Sequence, residues 1–141
     1  MEWAALIAWV ITAGFGFTML AIWVKHGGMQ QHGGGGKIPP WLILTHFGLA
    51  ATGLVIWVIY LAVDKDALTW IAFVLLAVVA LLGWTMFFGW ARQRRAVEAS
   101  AQVTPVTPGA ELRFPIPVVA LHGLAAVTTV VLVLLTALDI G

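Results

Sequence analysis

The sequence contains no cysteine and few charged side chains, and both features narrow the class of protein that it encodes. Of its 141 residues, 9% are charged and 62% are hydrophobic. Without cysteine the chain can form no disulfide, iron–sulfur cluster or thiolate zinc site. A water-soluble domain of this length needs a much larger charged surface. We therefore expect lipid, rather than water, to surround most of the chain.

Four long apolar segments make up most of the sequence. They are Trp3–Val24, Trp41–Val63, Leu68–Trp90 and Ile116–Leu138. A hydrocarbon core of about 30 Å takes roughly 20 helical residues, so each segment is long enough to span a bilayer once. In lipid an isolated strand would leave its backbone groups unpaired, which favours helices. The sequence thus predicts an all-α integral membrane four-helix bundle, with residues 1–141 forming a single transmembrane domain.

The basic residues lie almost entirely on one side of this predicted bundle. Only Lys65 lies on the other side; the six that share a side are Lys25, Lys37, Arg92, Arg94, Arg95 and Arg113. By the positive-inside rule, loops 25–40 and 91–115 are cytoplasmic and both termini lie outside, in a multi-pass protein of the plasma (inner) membrane. We expect the second loop, with its Pro, Thr and Ala residues, to be poorly ordered.

The two halves of the sequence repeat each other. The pattern Gly-aromatic-Thr-Met-x-x-x-Trp begins at Gly16 in the first predicted helix and at Gly83 in the third. In the second and fourth helices a histidine, His46 or His122, is followed by Ala four residues later and Thr six residues later. These matches indicate tandem duplication of a two-helix hairpin, with a pseudo-twofold axis along the membrane normal.

The repeat places the two histidines at similar depths near the cytoplasmic boundary. Each histidine shares a helical stripe with small or polar residues: Ala50, Gly53, Trp57 and Tyr60 follow His46, and Ala126, Thr129 and Thr136 follow His122. Stripes of small and polar residues face inward in membrane bundles. We therefore expect the two histidines to face each other across the axis.

Two facing histidines at one depth are the ligand set of a bis-imidazole haem. Such a haem needs one histidine from each of two helices on opposite sides of a flat macrocycle. The sequence therefore predicts haem b held by His46 and His122, with Gly16 and Gly83 providing clearance for the porphyrin.

Four further residues are predicted to have supporting roles at this site. Thr18 and Thr85 are predicted to accept hydrogen bonds from the free ring N–H of the ligands and so to select their tautomer. Arg92 and Arg113, in the basic loops, are the nearest candidates to pair with the haem propionates.

With its four spans and the pair His46 and His122, the chain resembles the small membrane b-type cytochromes. The resemblance implies electron transfer or redox sensing, with a quinone or a redox protein as partner. Members of that family that carry electrons across the bilayer generally have a second haem near the opposite face. Here the outer half has no histidine, so the resemblance does not extend to a complete transmembrane relay. The overall pattern also looks like uncharacterised four-span proteins of high-GC bacteria.

A transition-metal site is an alternative use of the same histidines. With Met19 and Met86 they supply two nitrogen and two sulfur ligands, a set suited to Cu(I), and hence to a metal carrier or transport element. In the first loop, the spacing His26-x-x-Met29-x-x-His32 offers another ligand set, although its glycines disfavour the helix that this spacing requires. Either histidine, taken alone, is also explained by a hydrogen bond to a neighbouring helix.

A third interpretation is a non-catalytic accessory subunit of a larger membrane complex, or a homo-oligomer. The sequence carries no hydrolase or transferase signature, and whether it has an oxidoreductase role depends on the haem. The arginines at Arg92–Arg95 are explained by anchoring near anionic lipid in the bilayer and indicate no nucleic acid. The acidic residues all lie outside the spans, and we interpret them as solvated flanks: Glu2, Asp64, Asp66, Glu98, Glu111 and Asp139.

Overall fold

The computed structural model, which describes residues 1–31, 37–100 and 109–140, contains four long α-helices. These are α1 (Glu2–Lys25), α2 (Pro40–Val63), α3 (Asp66–Ser100) and α4 (Ile116–Ala137). The described residues contain no strand, and short 3-10 helices form at Gly28–Gln30 and Ala110–Arg113. All four α-helices are long and apolar enough to cross a bilayer. The predicted all-α membrane bundle is confirmed.

Proline and one left-handed residue set the ends of the helices. Pro40 opens α2 and Pro117 lies in the first turn of α4, where a missing N–H breaks no hydrogen bond. Between α2 and α3 the chain reverses through Asp64, whose φ of 51° lies in the left-handed region that aspartate tolerates. The short turn keeps α2 and α3 antiparallel neighbours.

Helix α3 is longer than the sequence analysis predicted. It was expected to end at Trp90, with a loop from residue 91, yet it continues to Ser100. The added segment consists mainly of good helix formers and contains neither Gly nor Pro. Arg94 and Glu98, one turn apart, add an ion pair at 3.4 Å. Of the rest of the loop that was predicted to be poorly ordered, residues 101–108 lie outside the described residues, and Ala110–Arg113 form a 3-10 helix.

The four helices form a ring in the order α1, α4, α3, α2, so that each helix has two neighbours. Helix α1 packs along α4 and α2 packs along α3, while α3 also contacts α4 and α1 contacts α2 over a shorter length. Helices α2 and α4 are therefore diagonal. We call the end that carries residues 26–31, 37–39 and 109–115 the loop face. The end that carries Met1, the Asp64–Lys65 turn and Ile140 is the turn face.

The packed core lies toward the turn face. Its buried members are Ala5, Trp9, Trp57, Tyr60, Ala72, Leu76 and Val133. Tyr60 donates a hydrogen bond of 2.7 Å to the Glu2 carboxylate, and the indole N–H of Trp57 reaches the Glu2 main-chain oxygen at 3.4 Å. Glu2 is therefore not simply a solvated flank, as the sequence analysis had it. Glu2 thereby satisfies the polar groups of two buried aromatic side chains at this end of the core.

At the loop face a buried carboxylate joins the two long connections. The side chain of Glu111 is 0% exposed and accepts hydrogen bonds from the Ile38 N–H and the Gln31 amide, each at 3.2 Å. Gln31 in turn accepts from the Ala110 N–H at 3.0 Å. The interpretation of Glu111 as a solvated flank was wrong, because the 3-10 turn at Ala110–Arg113 directs its side chain inward rather than to water.

We predict that Glu111→Ala lowers the free energy of unfolding by about 1–3 kcal/mol, because it leaves the buried Ile38 N–H without an acceptor. SDS-induced unfolding followed by circular dichroism measures the change. Glu98→Ala is the matched control: Glu98 is 66% exposed in its ion pair, so its loss is expected to cost less than about 0.5 kcal/mol. Equal losses from the two variants would contradict the structural role of Glu111.

Candidate functional site

The side chain of His46, on α2, contacts the neighbouring helix α3. Its Nδ1 atom lies 3.0 Å from the main-chain oxygen of Val79, and its ring is half-buried. A Cβ atom placed on Gly83 would lie 3.3 Å from Cε1 of the ring, so the imidazole rests directly against this glycine. The His46 ring is thus held by one hydrogen bond and one close backbone approach.

His122, on α4, makes the equivalent contacts with α1. Its Nδ1 atom lies 3.0 Å from the main-chain oxygen of Thr12, and a Cβ on Gly16 would lie 3.3 Å from its Cε1. In both halves the carbonyl belongs to the residue four positions before the glycine. The sequence repeat therefore corresponds to a repeated three-dimensional contact, in which each histidine binds the helix that lies beside its own.

The two rings approach each other across the diagonal of the bundle. Their centroids are 6.4 Å apart, and their planes are inclined by 59°. A carbonyl oxygen only accepts hydrogen bonds, so in each ring Nδ1 must carry the proton. The neutral imidazole then presents Nε2, with its lone pair, as the atom able to bind a metal. Opposite sides of the bundle thus each present one nitrogen that is able to bind a metal.

Thr18 and Thr85 do not reach the histidines. Both are exposed, and their hydroxyls donate to carbonyls of their own helices, Gly14 at 2.9 Å and Leu82 at 2.7 Å. Their predicted role as acceptors for the ring N–H is taken by main-chain carbonyls. The reason is helical geometry, since a residue two positions after a glycine lies about 200° around the helix from it.

The other predicted site residues are spread along the loop-face half. Met19 and Met86 are half-buried, one turn beyond the glycines, whereas Arg92 and Arg113 are exposed. Among the described residues no three His, Cys, Asp or Glu side chains form a cluster able to hold a metal ion.

The loop-based ligand set is only partly described. His26 is exposed and hydrogen-bonds the Ile22 carbonyl through Nδ1 at 2.7 Å. Met29 is exposed as well. His32, the third member of this predicted set, lies outside the described residues.

Sequence reasoning missed the partners of the histidines. The acceptors are the carbonyls of Thr12 and Val79, and main-chain atoms carry no residue-type signal. Thr12 also shares a hydrogen bond of 3.1 Å with the buried Thr129 hydroxyl, which links α1 to α4 below His122. The repeat itself offered a signal, because the acceptor residue lies four positions before the repeated glycine in both halves.

The fold and this pair of histidines define a four-span helical membrane protein with a symmetric intramembrane site. Comparison with known proteins adds no narrower assignment, because no family model, no curated protein and no solved structure matches the chain.

We predict that Gly16→Ala and Gly83→Ala each destabilise the bundle relative to Gly14→Ala by about 1 kcal/mol or more, because the new methyl presses on a histidine ring. Gly14 is the matched control on the same helix as Gly16, since a Cβ there meets nothing within 4 Å. Unfolding in SDS provides the measurement. Three variants of equal stability would show that the glycines do not hold the rings.

Proposed function

We propose that the chain is a membrane b-type cytochrome that holds one haem between α2 and α4, with His46 and His122 as axial ligands, for electron transfer or redox sensing. The observation that carries this proposal is the pair of tethered imidazoles whose centroids lie 6.4 Å apart across the bundle. When bound, the haem iron supplies one-electron oxidation and reduction.

The separation of the rings fits this use. With a metal–nitrogen bond of about 2.0–2.1 Å, as for imidazole on zinc, and about 1 Å from ring nitrogen to ring centroid, two trans imidazoles have centroids roughly 6 Å apart. Each ring plane contains the metal–nitrogen axis, so the rings are free to be rotated about that axis. The observed 59° between them is compatible with trans ligation.

The residues around the rings have separate roles in this proposal. The carbonyls of Val79 and Thr12 keep the proton on Nδ1, which leaves Nε2 to the iron and increases the basicity of the ligand. Gly83 and Gly16 let each ring settle against a backbone, so its orientation is set before the cofactor arrives. Preformed ligands lose little freedom on binding, which favours tight retention.

The position of the site suggests how electrons reach it. The histidines lie on the loop-face side of the aromatic core, so the shorter path from the site to water or to a headgroup-level quinone runs to the loop face. A quinone or a soluble redox protein that docks at the loop face is therefore the favoured partner.

We expect the detergent-purified protein, made with ample haem, to show an intense Soret band and sharp α and β bands after dithionite reduction. His46→Ala and His122→Ala should each abolish this bis-histidine spectrum, because one axial ligand is then missing. His26→Ala should leave it unchanged, since that imidazole is exposed and bonded to its own helix. Visible spectroscopy of oxidised and reduced samples makes the comparison.

The same samples separate the alternatives. A featureless spectrum from haem-replete protein would refute the cytochrome proposal. Bound copper that is lost on replacing Met19 or Met86, as well as the histidines, would instead support the transition-metal element. The accessory role would be supported if the protein contained neither haem nor metal and a membrane subunit co-purified with it. That co-purification should survive both histidine substitutions.

We further propose that the chain lies in the plasma membrane with the loop face in the cytoplasm and both termini outside, as the distribution of its basic residues indicates. The protein contains no cysteine, so single substitutions report position cleanly. Ala67 at the turn face and Ala99 at the loop face are exposed, uncharged and thus a matched pair.

In intact cells a membrane-impermeant maleimide should label Ala67→Cys but not Ala99→Cys. After the cells are permeabilised, both should react. The opposite pattern of labelling in intact cells would reverse the orientation and move the proposed haem to the outer half of the bilayer.

A further inference from the structure

Two buried indole N–H groups near the loop face have no hydrogen-bond partner among the described residues. They belong to Trp23, which is 0% exposed, and Trp90, which is 7% exposed. A buried donor without a partner is costly, so two at equivalent positions of the repeat call for an acceptor that the described residues do not supply.

The two tryptophans lie on the helices that support the histidines. Trp23 follows Gly16 by seven residues on α1, and Trp90 follows Gly83 by seven on α3. Seven residues are two turns, so each tryptophan shares the face of its glycine and lies about 10 Å nearer the loop face. Helical side chains lean toward the N-terminus of their helix, and for both tryptophans that is the side on which the histidines lie.

We propose that Trp23 and Trp90 donate their indole N–H groups to the two propionate carboxylates of the haem held by His46 and His122. This assignment rests on the function proposed above. The indole nitrogen is a donor only, and a bond from it to a carboxylate is charge-assisted. The two carboxylates of one porphyrin thus match the two orphan donors in number and in chemistry.

Symmetry gives the placement. The histidines occupy the α2–α4 diagonal, so a macrocycle perpendicular to the line between them extends toward α1 and α3, the helices that carry the tryptophans. A porphyrin has an in-plane axis that passes between its two propionates. In this placement, that axis would coincide with the pseudo-twofold axis of the chain. With the propionate edge turned to the loop face, one carboxylate points toward each indole.

Other polar groups at the loop face do not take this role in the structure. The Glu111 carboxylate is already bonded to the Ile38 N–H and the Gln31 amide. Gln93 has a buried oxygen that is itself unpartnered and reaches neither indole. Gly28 lies flat against the Trp23 ring, where a Cβ would overlap it, and so covers a face of the indole rather than its N–H edge.

Titration of haem-free protein with haem and with haem dimethyl ester tests the assignment. Wild type should bind haem more tightly than the ester by about tenfold for each indole bond. Trp23→Phe and Trp90→Phe keep the ring but remove the donor, so each should weaken haem binding by about tenfold and leave ester binding unchanged. Trp3→Phe, at a tryptophan that is 65% exposed, is the control and should change neither affinity.

A second measurement uses the wild-type protein and so does not depend on whether a variant folds. Reduced bis-histidine haem is low-spin and diamagnetic, so the ¹⁵N-indole resonances stay observable. Two of the eight tryptophan N–H signals should move downfield with haem but not with the ester.

The outcomes distinguish this inference from the function on which it rests. A bis-histidine spectrum with equal affinity for haem and its ester, or an equal loss for both ligands in the phenylalanine variants, would overturn the tryptophan assignment and leave the cytochrome in place. Absence of any Soret band from wild type would overturn both proposals.

Discussion

The structure depends on one constraint of the bilayer: a polar group within it must find its partner inside the chain. The histidines meet this constraint through a main-chain carbonyl of the adjacent helix, His46 with Val79 and His122 with Thr12. A helical carbonyl already accepts from its own helix, and its second lone pair is available without breaking that bond. Each hydrogen bond therefore ties two helices together and selects the ring tautomer at no cost to the backbone.

These two hydrogen bonds join the helices outside the main buried hydrophobic cluster. The buried aromatic cluster, with Trp9 and Trp57 at its centre, lies toward the turn face, and Glu2 closes it there. Toward the loop face the fastening elements are polar, namely the histidine–carbonyl bonds and the carboxylate of Glu111 between the two connections. One end thus resists separation of the helices by apolar contact, and the other by a few specific hydrogen bonds.

The sequence was sufficient for the class of fold and for the approach of the histidines, and insufficient where tertiary register decides. The spans follow from length and hydropathy alone, and the repeat placed His46 and His122 at one depth. Helix α3 continues past Trp90 because the polar residues that follow the apolar segment also have high helix propensity. The burial of Glu111 was not predictable, because it depends on a 3-10 turn that aims the side chain at the other loop. Thr18 and Thr85 were misassigned because sharing a motif with a glycine is not the same as sharing its face.

The way in which the two halves differ is itself informative. Adding 67 residues maps α1 onto α3, and adding 76 maps α2 onto α4. In the packed core the halves differ: Trp9 corresponds to Leu76, and Trp9 packs against Gly53 where the other half has Thr129.

The residues at the histidine pair agree between the halves: Gly16 with Gly83, His46 with His122, and the buried Trp23 with Trp90. Most of their neighbours along the helices differ. Identity at these positions is explained if both halves contact one symmetric object. A porphyrin, which presents the same metal to two ligands and a carboxylate to each side of its axis, has that symmetry.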